Sequence, residues 1–294
     1  MTSVSKHPAD REAEHRRARR RRLLGGFWTY FALLWLAVYC LFPLGWMVST
    51  SLKPTEDTYV IPPLWIPPHP TLHSYQMVLG IQNFPRYFFN SSIVALSTTA
   101  LAMVFAGLAG YGFSRFRFRG SRVLMIFTLI TQMFPGILLI IPYFSIMGAV
   151  GLLNTYPALV IAYTSFSLPF CVWMLKGFFD SIPAELDQAA MIDGCSRTSA
   201  FLRVILPLSA PGLVATAIFS FLVAWNEFLF AVVLTSTPSM YLVTVGIASN
   251  IGQFRIQWND LMAASVLATL PTIVLYAFLE RYLVQGLTAG AVKG

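Results

Sequence analysis

The chain has 294 residues, 56% of them hydrophobic and 11% charged, where soluble domains carry roughly 45–50% apolar and about 25% charged residues. That balance excludes an ordinary soluble enzyme. Apolar stretches of about 20 residues, long enough for a hydrocarbon core about 30 Å thick, point to an all-α polytopic membrane protein. The net charge of +8 would suit nucleic acid, but the basic residues gather at the ends of apolar segments, where they report orientation in a bilayer.

Six apolar segments follow one another in chain order: Leu23 to Thr50, Phe89 to Phe113, Val123 to Val150, Tyr156 to Gly177, Leu208 to Thr235 and Leu261 to Val284. Each is read as one transmembrane helix, making a six-helix transmembrane domain over residues 23–285. It lies between a basic tail, 1–22, and a short C-terminal tail, 286–294. The first segment is longer than a secretory signal's apolar region and no small-x-small cleavage site follows it, so it counts as an uncleaved helix. On alternate sides of these spans, every Lys and Arg except Lys53, Arg86 and Arg255 falls on one side. The positive-inside rule therefore puts both termini in the cytoplasm. Cys40, Cys171 and Cys195 form no CxxC pair and are odd in number, so neither a disulfide framework nor a zinc site follows.

The connecting segments then sort by side. Lys53 to Arg86 faces out, and its seven prolines from Pro54 to Pro85 favour a stiff, extended path over a folded domain. Ser114 to Arg122 is a tight inner turn. The long inner loop, 178–207, carries the strongest local pattern. Ser181 is placed to cap a helix, Pro183 suits its first turn, and Gly194 suits the left-handed residue that ends it. Leu186, Ala189 and Ala190 share one side of that helix, while Glu185, Asp187, Gln188 and Asp193 make the rest polar. With no Lys, Arg, Trp or Phe from Pro183 to Gly194, it suits a protein partner better than a lipid surface. A second helix, capped by Ser196 or Thr198, carries the apolar stripe Phe201, Val204, Ile205 and Leu208.

The run Glu185-Leu186-Asp187-Gln188-Ala189-Ala190-Met191-Ile192-Asp193-Gly194, with Phe201 and Leu206-Pro207 after it, resembles the EAA loop of binding-protein-dependent ABC importer permeases. Trp225-Asn226-Glu227-Phe228 and the ending from Gly286 to Gly294 resemble the carbohydrate-uptake branch, in particular the smaller, six-helix permease of maltose-type importers. The resemblance implies an inner-membrane subunit of a prokaryotic cell that pairs with a second related permease. It also implies two cytoplasmic ATPase subunits and an extracellular substrate-binding protein that delivers a carbohydrate; a phosphorylated polyol is the alternative cargo. It makes Glu185, Asp187, Gln188, Ala189, Ala190, Asp193 and Gly194 a cytoplasmic coupling helix between helices 4 and 5, seated on the ATPase. The small residues beyond Gly286, with Lys293, suggest a second ATPase contact that would enter a groove. Gln188 stands where that motif usually has Glu, and Cys195 where Ala is common.

No GxxxxGK[ST] loop occurs, so the chain offers no nucleotide site, and ATP and Mg belong to the partner ATPase. HExxH, GxSxG and CxxC are absent too, and no metal or catalytic residue is assigned. A secondary transporter would need coupling carboxylates in its spans and usually an internal repeat; apart from Glu280 near the end of the sixth segment, Glu227 is the one acid within a span, and no repeat is visible. An ionisable group in lipid costs roughly 2.5–3.5 kcal/mol on insertion scales, so Glu227 is expected to face protein or water, on a helix face with Thr216, Ser220 and Val223. Asn226 beside it, Gln132 on a face with Thr128 and Pro135, and Tyr163 with Ser167 complete the candidate substrate path. Ala106, Gly107 and Gly110 read as a close helix contact.

Overall fold

The computed structural model describes residues 8–81, 83–116, 118–252 and 256–291, with side chains from residue 26 to 278 apart from 81. Lys6, Arg117, Arg255 and Lys293, counted above for orientation, lie outside the described residues. So do the side chains of Arg16 to Arg22 and the last three residues of the C-terminal tail. Among the described residues the fold is helical, with no strand beyond one isolated bridge between Ile251 and Ile256.

The helices that position the sites are α1 (Pro8–Ser51), α2 (Phe84–Arg115), α3 (Ser121–Met133), α4 (Gly136–Ala149), α5 (Tyr156–Ser181) and α6 (Glu185–Ile192). They are followed by α7 (Arg197–Leu208), α8 (Ala210–Asn226), α9 (Leu229–Leu234), α10 (Val243–Ala248) and α11 (Trp258–Ala291). Four stretches are long and apolar enough to cross a membrane unaided: Gly26–Ser51 of α1, α2, α5, and Trp258–Phe278 of α11. Six result when the bent pairs α3–α4 and α7–α8 each count as one span.

Two expected spans are not continuous helices. Val123 to Val150 breaks between Met133 and Gly136, where α3 and α4 meet at 93°. Pro135 cannot supply the amide that the ladder needs, and it biases Phe134 to the extended backbone found there. The expected span Leu208 to Thr235 also breaks. α7 and α8 bend by 80° at Ser209, and α8 then stops at Asn226, with Glu227 extended (φ −69°, ψ 133°) before α9 begins. Glu227 therefore does not continue the face of Thr216, Ser220 and Val223. The C-terminal tail expected from Gly286 is a continuation of α11, whose backbone stays helical through Ala291.

The core is built around α2, which lies along α5 and α8, while α1 stands to one side against α11. Close approach of α2 and α5 depends on small residues. Ala102 and Ala106 are fully buried, and a Cβ on Gly110 would come within 3.0 Å of the Lys176 amide nitrogen and 3.3 Å of the Val172 carbonyl oxygen. At that point backbone packs on backbone. At the end of the bundle away from α6, Asn90, fully buried in α2, donates to the Ser239 carbonyl at 2.9 Å and the Tyr241 carbonyl at 2.8 Å, and accepts from the Tyr156 hydroxyl at 2.7 Å. Asn154 accepts from the Ser236 and Thr237 amides at 2.9 and 3.1 Å. These bonds satisfy the outer connection between α9 and α10 and hold it down on the bundle.

Candidate functional site: a fastened loop helix and a pair of broken spans

The inner loop folds into α6 and α7 much as its spacing predicts, with two differences at the start. Gly194 takes the left-handed backbone (φ 91°) that ends α6, and Ser196 caps α7 by accepting from the Ser199 amide at 3.2 Å. Ser181 does not cap α6. Its hydroxyl bonds back to the Phe178 carbonyl at 2.7 Å and closes α5, so α6 starts later, at Glu185, with no side-chain cap. In α7, Phe201 and Ile205 are buried and Val204 half-buried as the stripe predicts, whereas Leu208 is exposed.

Which way α6 faces departs from its hydrophobic pattern. Asp187 and Ala190 form the buried side, and Glu185, Leu186, Gln188, Ala189, Ile192 and Asp193 are exposed. The reason is electrostatic. The Asp187 carboxylate accepts from Arg115 Nε and from the Tyr111 hydroxyl, each at 2.7 Å, both on the last turns of α2. Arg115 also donates to the Ile182 carbonyl at 2.9 Å and to Ser114 at 3.2 Å. Both charged side chains are about nine-tenths covered (11% and 10% exposed), so an acid left unpaired there would be costly. Tyr111 packs 4.5 Å from the Phe201 ring and 6.0 Å from Phe179, and Arg197 lies over Phe116 at 5.4 Å. A small cavity of about 180 Å³ remains between Tyr111, Arg115, Gln188, Met191 and Arg197. α6 is thus fastened by its buried side to the inner end of α2, leaving its other side uncovered. Sequence reasoning missed Tyr111 and Arg115; the signal was their i, i+4 spacing at the inner end of a span, a pair suited to a facing acid.

The second candidate site lies where the two broken spans meet. A Cβ on Gly136, just after the α3–α4 break, would lie 3.9 Å from the Phe230 ring, just after the α8–α9 break. Phe230 packs 4.9 Å from Phe166 and 5.3 Å from Tyr143. The Glu227 carboxylate accepts from the Phe230 amide at 3.0 and 3.1 Å and the Ala231 amide at 3.2 Å, capping α9 at the end where helix amides are free. The Glu227 carbonyl accepts from Thr244 at 2.9 Å, tying the break to α10.

The other predicted path residues divide. Gln132 donates to the Phe166 carbonyl at 2.8 Å across the α3 break. Ser167 and Ser220 meet at 3.4 Å between α5 and α8. The Tyr163 hydroxyl is buried within the influence of the Glu227 carboxylate and has no partner at hydrogen-bonding geometry. Asn226 turns back on its own helix, donating to the Leu222 carbonyl at 2.8 Å. Tyr143, bonded to Ser165, was not foreseen and completes the aromatic wall. Irregular backbone at membrane depth is tolerated where it is buried in protein or lines a cavity, and both breaks occur where polar side chains converge.

The family model described as "Binding-protein-dependent transport system inner membrane component" matches residues 101–289. The chain is 40% identical to the trehalose transport system permease protein of Mycobacterium tuberculosis, over 90% of this chain and 98% of the relative. It is 39% identical to the trehalose/maltose transport system permease protein of Thermococcus litoralis (88% and 94% covered) and 39% identical to the sulfoquinovosyl glycerol transport system permease protein of Agrobacterium fabrum (88% and 91%). Among solved structures it is similar to a bacterial ABC transporter involved in import of the acidic polysaccharide alginate, at a TM-score of 0.77 and 21% identity, over 90% of this chain and 98% of that one; this likeness speaks for the fold. The fastened inner helix, the broken spans and these matches lead to one conclusion: the chain belongs to the inner-membrane permease components of binding-protein-dependent ABC importers.

Proposed function

We propose that this chain is one of two related permeases in an ATP-driven importer that carries a carbohydrate of di- or oligosaccharide size into the cytoplasm. The observation that carries the reading is the two-sidedness of α6. One side is fastened to α2 through Asp187, while Glu185, Gln188, Ala189 and Asp193 stand free on the other. In this reading the free side meets a cytoplasmic ATPase subunit, where small Ala189 allows close approach. Asp187 and Ala190, named with them from the sequence, act from the bundle side instead, and Gly194 ends the helix. Two such ATPase subunits supply ATP and Mg chemistry, and an extracellular binding protein delivers the sugar. The Lys and Arg distribution supports six crossings with both termini inside. The sugar cargo of the relatives, trehalose and maltose among them, supports the substrate class.

The path for the sugar is assigned to the junction of the broken spans, where Gln132, Tyr163, Ser167, Ser220, Asn226 and Glu227 offer hydrogen-bonding groups beside Tyr143 and Phe166. Hydroxyl-rich rings need donors and acceptors on their edges and flat apolar surfaces on their faces, and this junction presents both. The test is uptake of labelled trehalose, maltose and diacetylchitobiose by vesicles holding the full complex. Uptake that requires ATP and the binding protein is expected. Sugar movement by the purified chain alone, without nucleotide, would refute it.

A further inference from the structure

The outer segment between α1 and α2 contains an apolar surface that the transport reading does not use. From Thr58 to Pro85 there is no Asp, Glu, Lys or Arg, an unusual run for a stretch expected to lie outside the spans. Ile61 is 91% exposed and Ile66 83%, with Trp65 and Leu72 also exposed. The segment does not extend away from the bundle. Its base is closed by the Thr71 amide donating to the Leu52 carbonyl at 2.9 Å. The Trp65 carbonyl accepts from Ser49 at 2.6 Å, and the Trp65 ring packs 5.1 Å from Trp46 and 5.4 Å from Phe42 of α1.

Those contacts fix a depth. The apolar part of α1, Gly26–Ser51, has 26 residues and is about 39 Å long at 1.5 Å per residue, against a hydrocarbon core of about 30 Å. With the helix centred, the outer boundary of the core falls about three residues before Ser51, so Phe42 and Trp46 lie within it. Trp65, packed on both, lies at that boundary or below it; the charged residues Glu56 and Asp57 follow the helix end, and the Lys53 ammonium, 4.0 Å over the Trp46 ring, is buried against protein. The side of the segment turned toward the protein is accounted for: Pro63 and Leu64 close over a cavity of about 240 Å³ formed with Trp46, Lys53 and Trp258.

We infer that the Pro-rich segment from Val60 to Leu72 lies in the outer leaflet, with Ile61, Trp65 and Ile66 in contact with lipid. Irregular backbone near hydrocarbon is normally penalised because its amides and carbonyls lack partners. Here Pro62, Pro63, Pro67, Pro68 and Pro70 carry no N–H at all, Thr71 donates to Leu52, and Ser49 satisfies the Trp65 carbonyl. The prolines that stiffen the segment thus also remove five of the donors that would disfavour the interface, where water and headgroups can meet the remaining amides. Trp at this level fits the aromatic belts of membrane proteins. Continuity through Trp65 with α1, whose large apolar side chains are exposed along the span, points to lipid as the occupant. The inference requires that α1 crosses the bilayer and is independent of the cargo.

The test places a nitroxide label, one site at a time, through Ile61→Cys, Trp65→Cys, Ile66→Cys and, as a water-facing reference, Glu56→Cys. The background has Cys40, Cys171 and Cys195 replaced, and the complete transporter is reconstituted in phosphatidylethanolamine and phosphatidylglycerol vesicles. High collision with oxygen and low collision with a water-soluble nickel chelate, relative to position 56, is expected at the three apolar sites. High nickel collision would place the segment in water and overturn the inference. Low collision with both reagents would place it against a protein partner and overturn it equally. Where a labelled complex fails to assemble, brominated-lipid quenching of intrinsic fluorescence gives the same information. Part of the quenching in the unaltered complex should vanish in Trp65→Phe, and an unchanged amplitude would refute the lipid contact.

Discussion

Replacing Asp187 by Ala isolates the fastening of α6. That helix has eight residues, too few to persist in water on propensity, so its order depends on what its buried side holds. Removing one partner from a buried, hydrogen-bonded charge pair costs about 3–5 kcal/mol. The lower figure applies here, because Arg115 keeps its bonds to Ile182 and Ser114 while the Tyr111 hydroxyl loses its acceptor. At 1.4 kcal/mol per tenfold, local opening of α6 becomes about a hundredfold more frequent. Hydrogen exchange at the amides of Gln188 to Asp193 in the assembled transporter reads this directly, and transport per ATP hydrolysed is expected to fall alongside. Glu185→Ala, on the free side, should change exchange by no more than about two- to threefold, the spread of ordinary surface substitutions. If Asp187→Ala stays within that same spread, the ion pair does not hold the helix and the reasoning is refuted.

Glu227→Ala strips the cap from α9 and should lower the stability of the α8–α9 break by about 1–2 kcal/mol; Glu227→Gln, which keeps an acceptor, should cost less. A thermal unfolding midpoint that drops equally for both would mean that the backbone bonds to the carboxylate contribute little. At the outer end of α1, burial holds the Lys53 ammonium below the ordinary lysine value of 10.5, with Asp57 pulling the other way. The unfolded chain therefore binds more protons between that lowered value and 10.5, and stability rises as pH climbs through this window. The unfolding midpoint of the intact complex should rise there relative to Lys53→Met, and a constant difference across the window would refute the burial effect.

Much of this arrangement was legible in the residues. Apolar length located the four continuous spans and, with different bounds, the two bent helix pairs, and the positions of Gly194 and Ser196 marked the end of α6 and the start of α7. What did not show were effects of groups distant in sequence. Asp187 sits 72 residues from Arg115, and without that pairing the loop's own spacing groups Ala190 with Leu186 and Ala189 and does not reveal that Asp187 and Ala190 turn to the bundle together. The breaks at Pro135 and Glu227 were hidden for a different reason. Hydropathy sums over a window and does not register one extended residue inside an apolar run. Glu227 was recognised as too polar for lipid, but its use as a cap depended on α8 ending one residue earlier, which periodicity does not reveal. Tyr143 and Asn90 were overlooked because a lone polar residue in an apolar run carries no spacing of its own.

The contact at Gly110 limits how α2 and α5 can shift against each other. A peptide of α2 rests against the Val172–Lys176 turn of α5, so the two are packed backbone on backbone at that level. If, as proposed, an ATPase drives α6, a pull at the Asp187–Arg115 joint is expected to tilt both helices together, leaving the give to the joints at Pro135 and Glu227, where the chain has no helical ladder to strain.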